Sequence, residues 1–130
     1  MLISRLMTYG AETVSSYDTL QTAALVMKRG GFRRVPVVDD NQLVGIISDR
    51  DVRAHEGYLD NTRVSAAMTP DPKTVTPKMS VEDAARLMIE HKIGGLPVVE
   101  DSKLVGIITA TDVLKAFLKV EAATQTFSDD

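Results

Sequence analysis

The sequence predicts an α/β fold of two β-α-β-β-α units, related by a pseudo-twofold axis and packed sheet against sheet. Three observations lead there. The chain matches itself without a gap at an offset of 61 residues, with sixteen identities between positions 13–52 and 74–113. Each copy holds one stretch of helical periodicity followed by two near-continuous apolar runs. The same kinds of turn-forming residue punctuate both copies.

The elements follow in order. Glu12-Thr13-Val14-Ser15 and its repeat Lys73-Thr74-Val75-Thr76 are rich in β-branched residues and read as short extended pieces. Leu20, Ala23, Ala24 and Met27 then share one helix face, as do Val81, Ala84, Ala85 and Met88. Ser80 and Asp83 resemble a capping box, and Gly30-Gly31 stops the first helix. Arg34-Val35-Pro36-Val37-Val38 and Leu43-Val44-Gly45-Ile46-Ile47 read as strands covered on both faces, joined by a turn at Asp39-Asp40-Asn41-Gln42. Pro36 argues that its strand starts, or pairs on one side only, near that point. A second helix starts near Ser48 and, in the repeat, near Thr109.

One unit alone buries little core, so two are needed. The first unit takes residues 1–61, with an N-terminal extension and a linker; the second takes 62–122. Within 54–67, His55, Gly57, Asp60 and Asn61 break the periodicity and mark the linker. From Ala123 the pattern is lost, and residues 123–130 are expected to fray.

Composition narrows the function. Apolar residues are 44% and charged residues 25%, a balance suited to a globular interior. No apolar run approaches the ~20 residues of a membrane span, and Met1-Leu2-Ile3-Ser4-Arg5 lacks the order of a signal peptide. There is no cysteine, so disulfides and thiolate metal sites are excluded, and the expected location is the cytoplasm. A net charge of −3 provides no strong attraction to nucleic acid or an anionic membrane. No nucleophile–base pair, metal cluster or phosphate-binding glycine loop is readable, so an enzyme is not expected.

Met-Thr before each unit, Pro-Val-Val, Leu-Val-Gly-Ile-Ile and Gly-Ile-Ile-(Ser/Thr)-x-x-Asp occur in that order, twice. In these features the chain resembles the CBS domain family, whose paired repeats are called Bateman modules; the resemblance covers about residues 5–122. It implies a regulatory module that binds an adenosine-containing ligand between its repeats: AMP, ADP, ATP or S-adenosylmethionine. No catalytic cofactor or metal is implied. The partners it implies are a second copy of the chain, meeting it through the helices, and an effector protein. The alternative is a dimerisation or interaction module with vestigial pockets.

The resemblance also implies site residues. Asp51 and Asp112 hold ribose hydroxyls, and Ser48 and Thr109 face phosphate or ribose. Ile46 and Ile107, in the preceding strands, belong to the same sites. Thr13 and Thr74 line the adenine pockets, and Arg33 and Arg34 lie near phosphate. Arg33 and Arg34 stand where the second unit has Gly94 and Gly95. On this reading the Asp51 cleft gains the cations, and the Asp112 cleft gains only glycines. The chemistry is apt: a carboxylate accepts from vicinal hydroxyls, and a helix N-terminus favours phosphate. A plainer role stands beside it, since Ser48 with Asp51 and Thr109 with Asp112 fit a helix cap. Close packing accounts for Gly45 and Gly106, and solitary His55 and His91 suggest no metal.

Overall fold

The computed structural model describes residues 1–128, with side chains described to Ala123. The strands and helices are β1 (Thr8–Tyr9), α1 (Leu20–Gly30), β2 (Arg34–Asp39), β3 (Gln42–Ser48), α2 (Asp49–Arg53), α3 (Val64–Ala67), β4 (Thr69–Pro70), α4 (Val81–His91), β5 (Gly95–Glu100), β6 (Lys103–Thr109) and α5 (Ala110–Ser128). They form a mixed α/β fold with two three-stranded antiparallel sheets, ordered β2-β3-β4 and β1-β6-β5.

The local chemistry of the two units runs in parallel. Thr19 Oγ1 accepts from Thr22 N at the start of α1, and Ser80 Oγ from Asp83 N at the start of α4. Gly31 ends α1 at φ 69°, a left-handed position suited to glycine; Lys92 takes the same place after α4 at φ 52°. Both hairpins turn on two consecutive residues of positive φ, Asp40-Asn41 and Asp101-Ser102. Such turns match the right-handed twist of the strands they join. Pro36 and Pro97 lie in edge strands, whose outer sides are bridged among the described residues by Val14 and Val75. The extended pieces expected at 12–15 and 73–76 thus shrink to one bridge each.

The third strand of each sheet comes from the other half of the chain. β1 joins the second unit's hairpin, with Thr8 opposite Ile107 and Tyr9 opposite Gly106. β4 joins the first unit's, with Gly45 opposite Pro70 and Ile46 opposite Thr69. The cores follow the same exchange. Val64 is fully buried with Leu20, Val35, Val37 and Ile47, whereas Ile3 and Met7 are buried with Leu96, Val98 and Ile108. The backbone straps agree: Ile3 N donates to Met79 O at 2.9 Å, and Val64 N to Asp18 O at 2.8 Å. The two units thus exchange their leading segments, and within the expected linker Val64–Ala67 form α3, whose Val64 lies in the first core.

Gly45 and Gly106 make these exchanges fit. A Cβ on Gly45 would stand 2.5 Å from Met68 Sδ and 2.9 Å from Thr69 O; one on Gly106 would collide with Thr8 O. Helix α5 extends to Ser128. The good helix formers Glu121, Ala122 and Ala123 carry it on without a proline or glycine to stop it. Asp129 and Asp130 lie outside the described residues.

Candidate functional site

β6 ends where α5 begins, and Thr109 caps the junction. Thr109 N and Oγ1 donate to Asp112 Oδ2 at 2.8 and 3.0 Å, and Asp112 N donates back to Thr109 Oγ1 at 3.3 Å. Ser48 and Asp51 repeat this at the start of α2, with 2.9, 2.9 and 3.2 Å. The plainer cap role is therefore real. It does not exhaust either carboxylate, because these bonds use Oδ2, and among the described residues no hydrogen bond or ion pair engages Oδ1. A carboxylate fixed by its own helix start is a preorganised acceptor for hydroxyls.

A cleft of about 340 Å³ opens beside the second of these caps, within the range of small-molecule sites. Its walls come from three parts of the chain. Ile107, Thr109, Thr111 and Asp112 form one side, and Phe32, Arg33, Arg34 and Pro36 of the first unit form the opposite side. Thr8, Gly10, Ala11 and Glu12 cross between the units and close it. The apolar faces of Pro36 and Ile107 suit a flat ring. The hydroxyls and the first turn of α5 suit an oxygen-rich group, and two guanidiniums stand ready for an anion. Neither Arg33 nor Arg34 joins any ion pair of the described residues.

Five of the expected residues thus meet in one place: Arg33, Arg34, Ile107, Thr109 and Asp112. This corrects the expected distribution of charge. The arginines line the cleft of Asp112, which is built from the β2 start of the first unit and the helix start of the second. Thr13 lines an adjoining hollow that shares Gly10 and Ala11 with the cleft. Ile46, Ser48 and Asp51 hold the matching places at the end of β3, and Thr74 is exposed before the bridge at Val75. Thr8, Gly10, Ala11, Glu12, Phe32 and Thr111 were not expected at the site. For the segment at Thr8 the signal was the second Met-Thr pair, Met68-Thr69, at the same 61-residue offset as Met7-Thr8.

Other residues take structural roles. His55 Nδ1 lies 3.0 Å from the Asp51 carbonyl, as a donor at the end of α2. Asp39 accepts from Ser15 Oγ at 2.9 Å and from Ser16 N at 3.0 Å, as well as from Ser16 Oγ. The Ser16 hydroxyl, and then its N–H, hold the Asp39 carboxyl below its ordinary pKa. Among the described residues, no cluster of His, Asp and Glu could hold a metal, and no helix is long and apolar enough to cross a membrane.

Fold and site define a class: a duplicated module with ligand-sized clefts where its two halves meet. The CBS domain matches the chain twice, over residues 3–57 and 64–119. The chain belongs to the CBS domain family. It is 37% identical over 120 residues to CBS domain-containing protein YhcV of Bacillus subtilis, covering 90% of this chain and 86% of that one. Among solved structures it resembles the CBS domain pair of protein MJ0100 in complex with 5-methylthioadenosine and S-adenosyl-L-methionine. That likeness has a TM-score of 0.84 and 27% identity, over 90% of this chain and 95% of that one. It likewise resembles CBSX2 in complex with AMP, with a TM-score of 0.83 and 34% identity, over 92% of this chain and 98% of that one.

Proposed function

We propose that this protein is a regulatory sensor of adenosine nucleotides in the cytoplasm, binding its ligand in the clefts between the repeats. The observation carrying this reading is the meeting of Asp112, Thr109, Arg33 and Arg34 around one cavity with an apolar floor. Ribose hydroxyls go to the free oxygen of Asp112, the base goes to the Pro36 and Ile107 faces, and phosphate goes to the arginines and the start of α5. Ser48, Asp51, Ile46 and Thr74 form the counterpart. The complexes of MJ0100 and CBSX2 support a ligand of this class. AMP, ADP or ATP fits the two guanidiniums better than S-adenosylmethionine, whose sulfonium they repel.

The test is a thermal-shift series with AMP, ADP, ATP, S-adenosylmethionine and NADH. A ligand at a hundred times its dissociation constant adds about 2.7 kcal/mol, a rise of about 5–15 °C for a domain this size. No shift with any of them rejects the sensor reading.

A second reading has its own support. Leu114, Phe117 and Leu118 lie on neighbouring turns of α5 and are all more than half exposed. An apolar stripe of this kind suits a homodimer through α5, which would pass ligand occupancy to an effector protein. Light scattering should give a dimer, and a monomer near 14 kDa at micromolar concentration rejects it.

A further inference from the structure

Arg34 does not stay within its own unit. Its Cδ lies 2.7 Å from where a Cβ on Gly95 would stand, and its guanidinium covers Gly94 so closely that a methyl there would collide with Nη2. Gly94 and Gly95 are the second unit's counterparts of Arg33 and Arg34. The Gly94 carbonyl accepts from Ala110 N at 2.9 Å, which fixes this glycine surface as a seat at the start of α5. Arg34 also lines the Asp112 cleft. In the pairing of β2 with β3, its Cα stands opposite Ser48, the residue that caps with Asp51. The Arg34 side chain therefore runs from a Cα beside the Ser48–Asp51 cap to the glycine surface at the start of α5, and the second unit has glycines in place of the two arginines.

We propose that Arg34 is shared by the two clefts, which compete for it when the ligand carries phosphate. The proposal rests on the adenosine-nucleotide reading above. A guanidinium offers one planar fork to one phosphate at a time. When a phosphate in the Asp112 cleft draws Arg34 from its glycine seat, the other cleft meets glycine backbone at 94 and 95 where the first unit has guanidiniums. Coupling of this kind is reciprocal: occupancy of either cleft weakens the other by the same factor. Uncharged adenosine makes no demand on the guanidinium, so it escapes the coupling.

Calorimetric titration of the whole chain with adenosine and with AMP tests this. The two AMP steps should differ by about tenfold or more beyond any difference between the adenosine steps, the worth of one charge-assisted bond. Arg34→Gln should weaken the tighter AMP step and bring the ratio of the AMP steps down to the adenosine ratio. Gly94→Ala places a methyl on the seat and displaces Arg34, so it should change the AMP ratio more than the adenosine ratio. An AMP ratio unchanged in both variants overturns the sharing while leaving nucleotide binding intact, as does equal weakening of both steps. Absence of binding by wild-type protein to either ligand overturns the nucleotide reading as well.

Discussion

The first unit ends in a helix of five residues, Asp49–Arg53, and the second in one of 19, Ala110–Ser128. Both begin with the same cap, hydroxyl to carboxylate, with distances that agree within 0.1 Å. Beyond the cap they part. The second presents Leu114, Phe117 and Leu118, where the first has Arg53, Glu56 and Gly57, the glycine at φ 93°. The cap, which faces the cleft, is held in common, while the rest of the helix is free to take another task. The same contrast runs through the strand starts, where Arg33-Arg34 faces Gly94-Gly95, and through the knot at Asp39, whose counterpart is Glu100 with Pro77 in place of Ser16.

The largest effects should come from crossing the units. Ile3 lies in the first half of the chain and packs in the second core; Val64 does the reverse. Ile3→Ala should cost about 2–5 kcal/mol in urea unfolding and Val64→Ala somewhat less. Amide exchange should rise chiefly in β6 for the first and in β3 for the second; the opposite assignment breaks the exchange of segments.

Next come the paired carboxylates. Asp112→Asn should weaken AMP binding by about ten- to 150-fold, the value of a charged hydrogen bond. Loss of either cap should cost about 0.5–2 kcal/mol of stability. Calorimetry on Asp51→Asn and Asp112→Asn separates these roles: stability lost without affinity in both leaves only the cap.

Smaller again is the cost of closing the gap between strands. Gly106→Ala drives a methyl at the Thr8 carbonyl, and Gly45→Ala meets the movable Met68 side chain first. Overpacking of about 1–3 kcal/mol is expected at Gly106 and less at Gly45, read as a shift in urea midpoint. Equal losses would show that the two closing strands are held alike.

The smallest effect distinguishes the units by pH. Asp39 is held below its ordinary pKa by the Ser16 bonds, so its contribution is complete above the unfolded carboxyl value, about 3.9. It disappears as pH falls through the depressed folded value. The melting difference between wild type and Asp39→Asn should therefore narrow below about pH 4. A constant difference from pH 7 to pH 3 excludes the charge.

The repeat, the hairpins and the caps were legible because each is written locally: Pro-Val-Val, two turn residues, a hydroxyl three places before Asp. The partnership of the segments was not. Thr8-Tyr9 and Thr69-Pro70 are two-residue strands, too short for a period to appear, and the choice of sheet depends on packing of Ile3 and Val64 far along the chain. That omission misplaced the arginines. Once the clefts are seen to draw one wall from each unit, Arg33 and Arg34 belong opposite Asp112.

The traded strands bear on ancestry. A single-unit forerunner could close its sheet only by lending its leader to a second molecule and borrowing one in return, which is a domain-swapped dimer. Joining two such copies end to end makes the loan internal, at a millimolar effective concentration in place of whatever the cell supplies. Once joined, the copies no longer have to remain identical, and one of them can exchange an arginine pair for glycines. Each half still depends on the other for an edge, so inheritance of the pair as one piece is favoured by the hydrogen bonding of two residues at Thr8–Tyr9 and two at Thr69–Pro70.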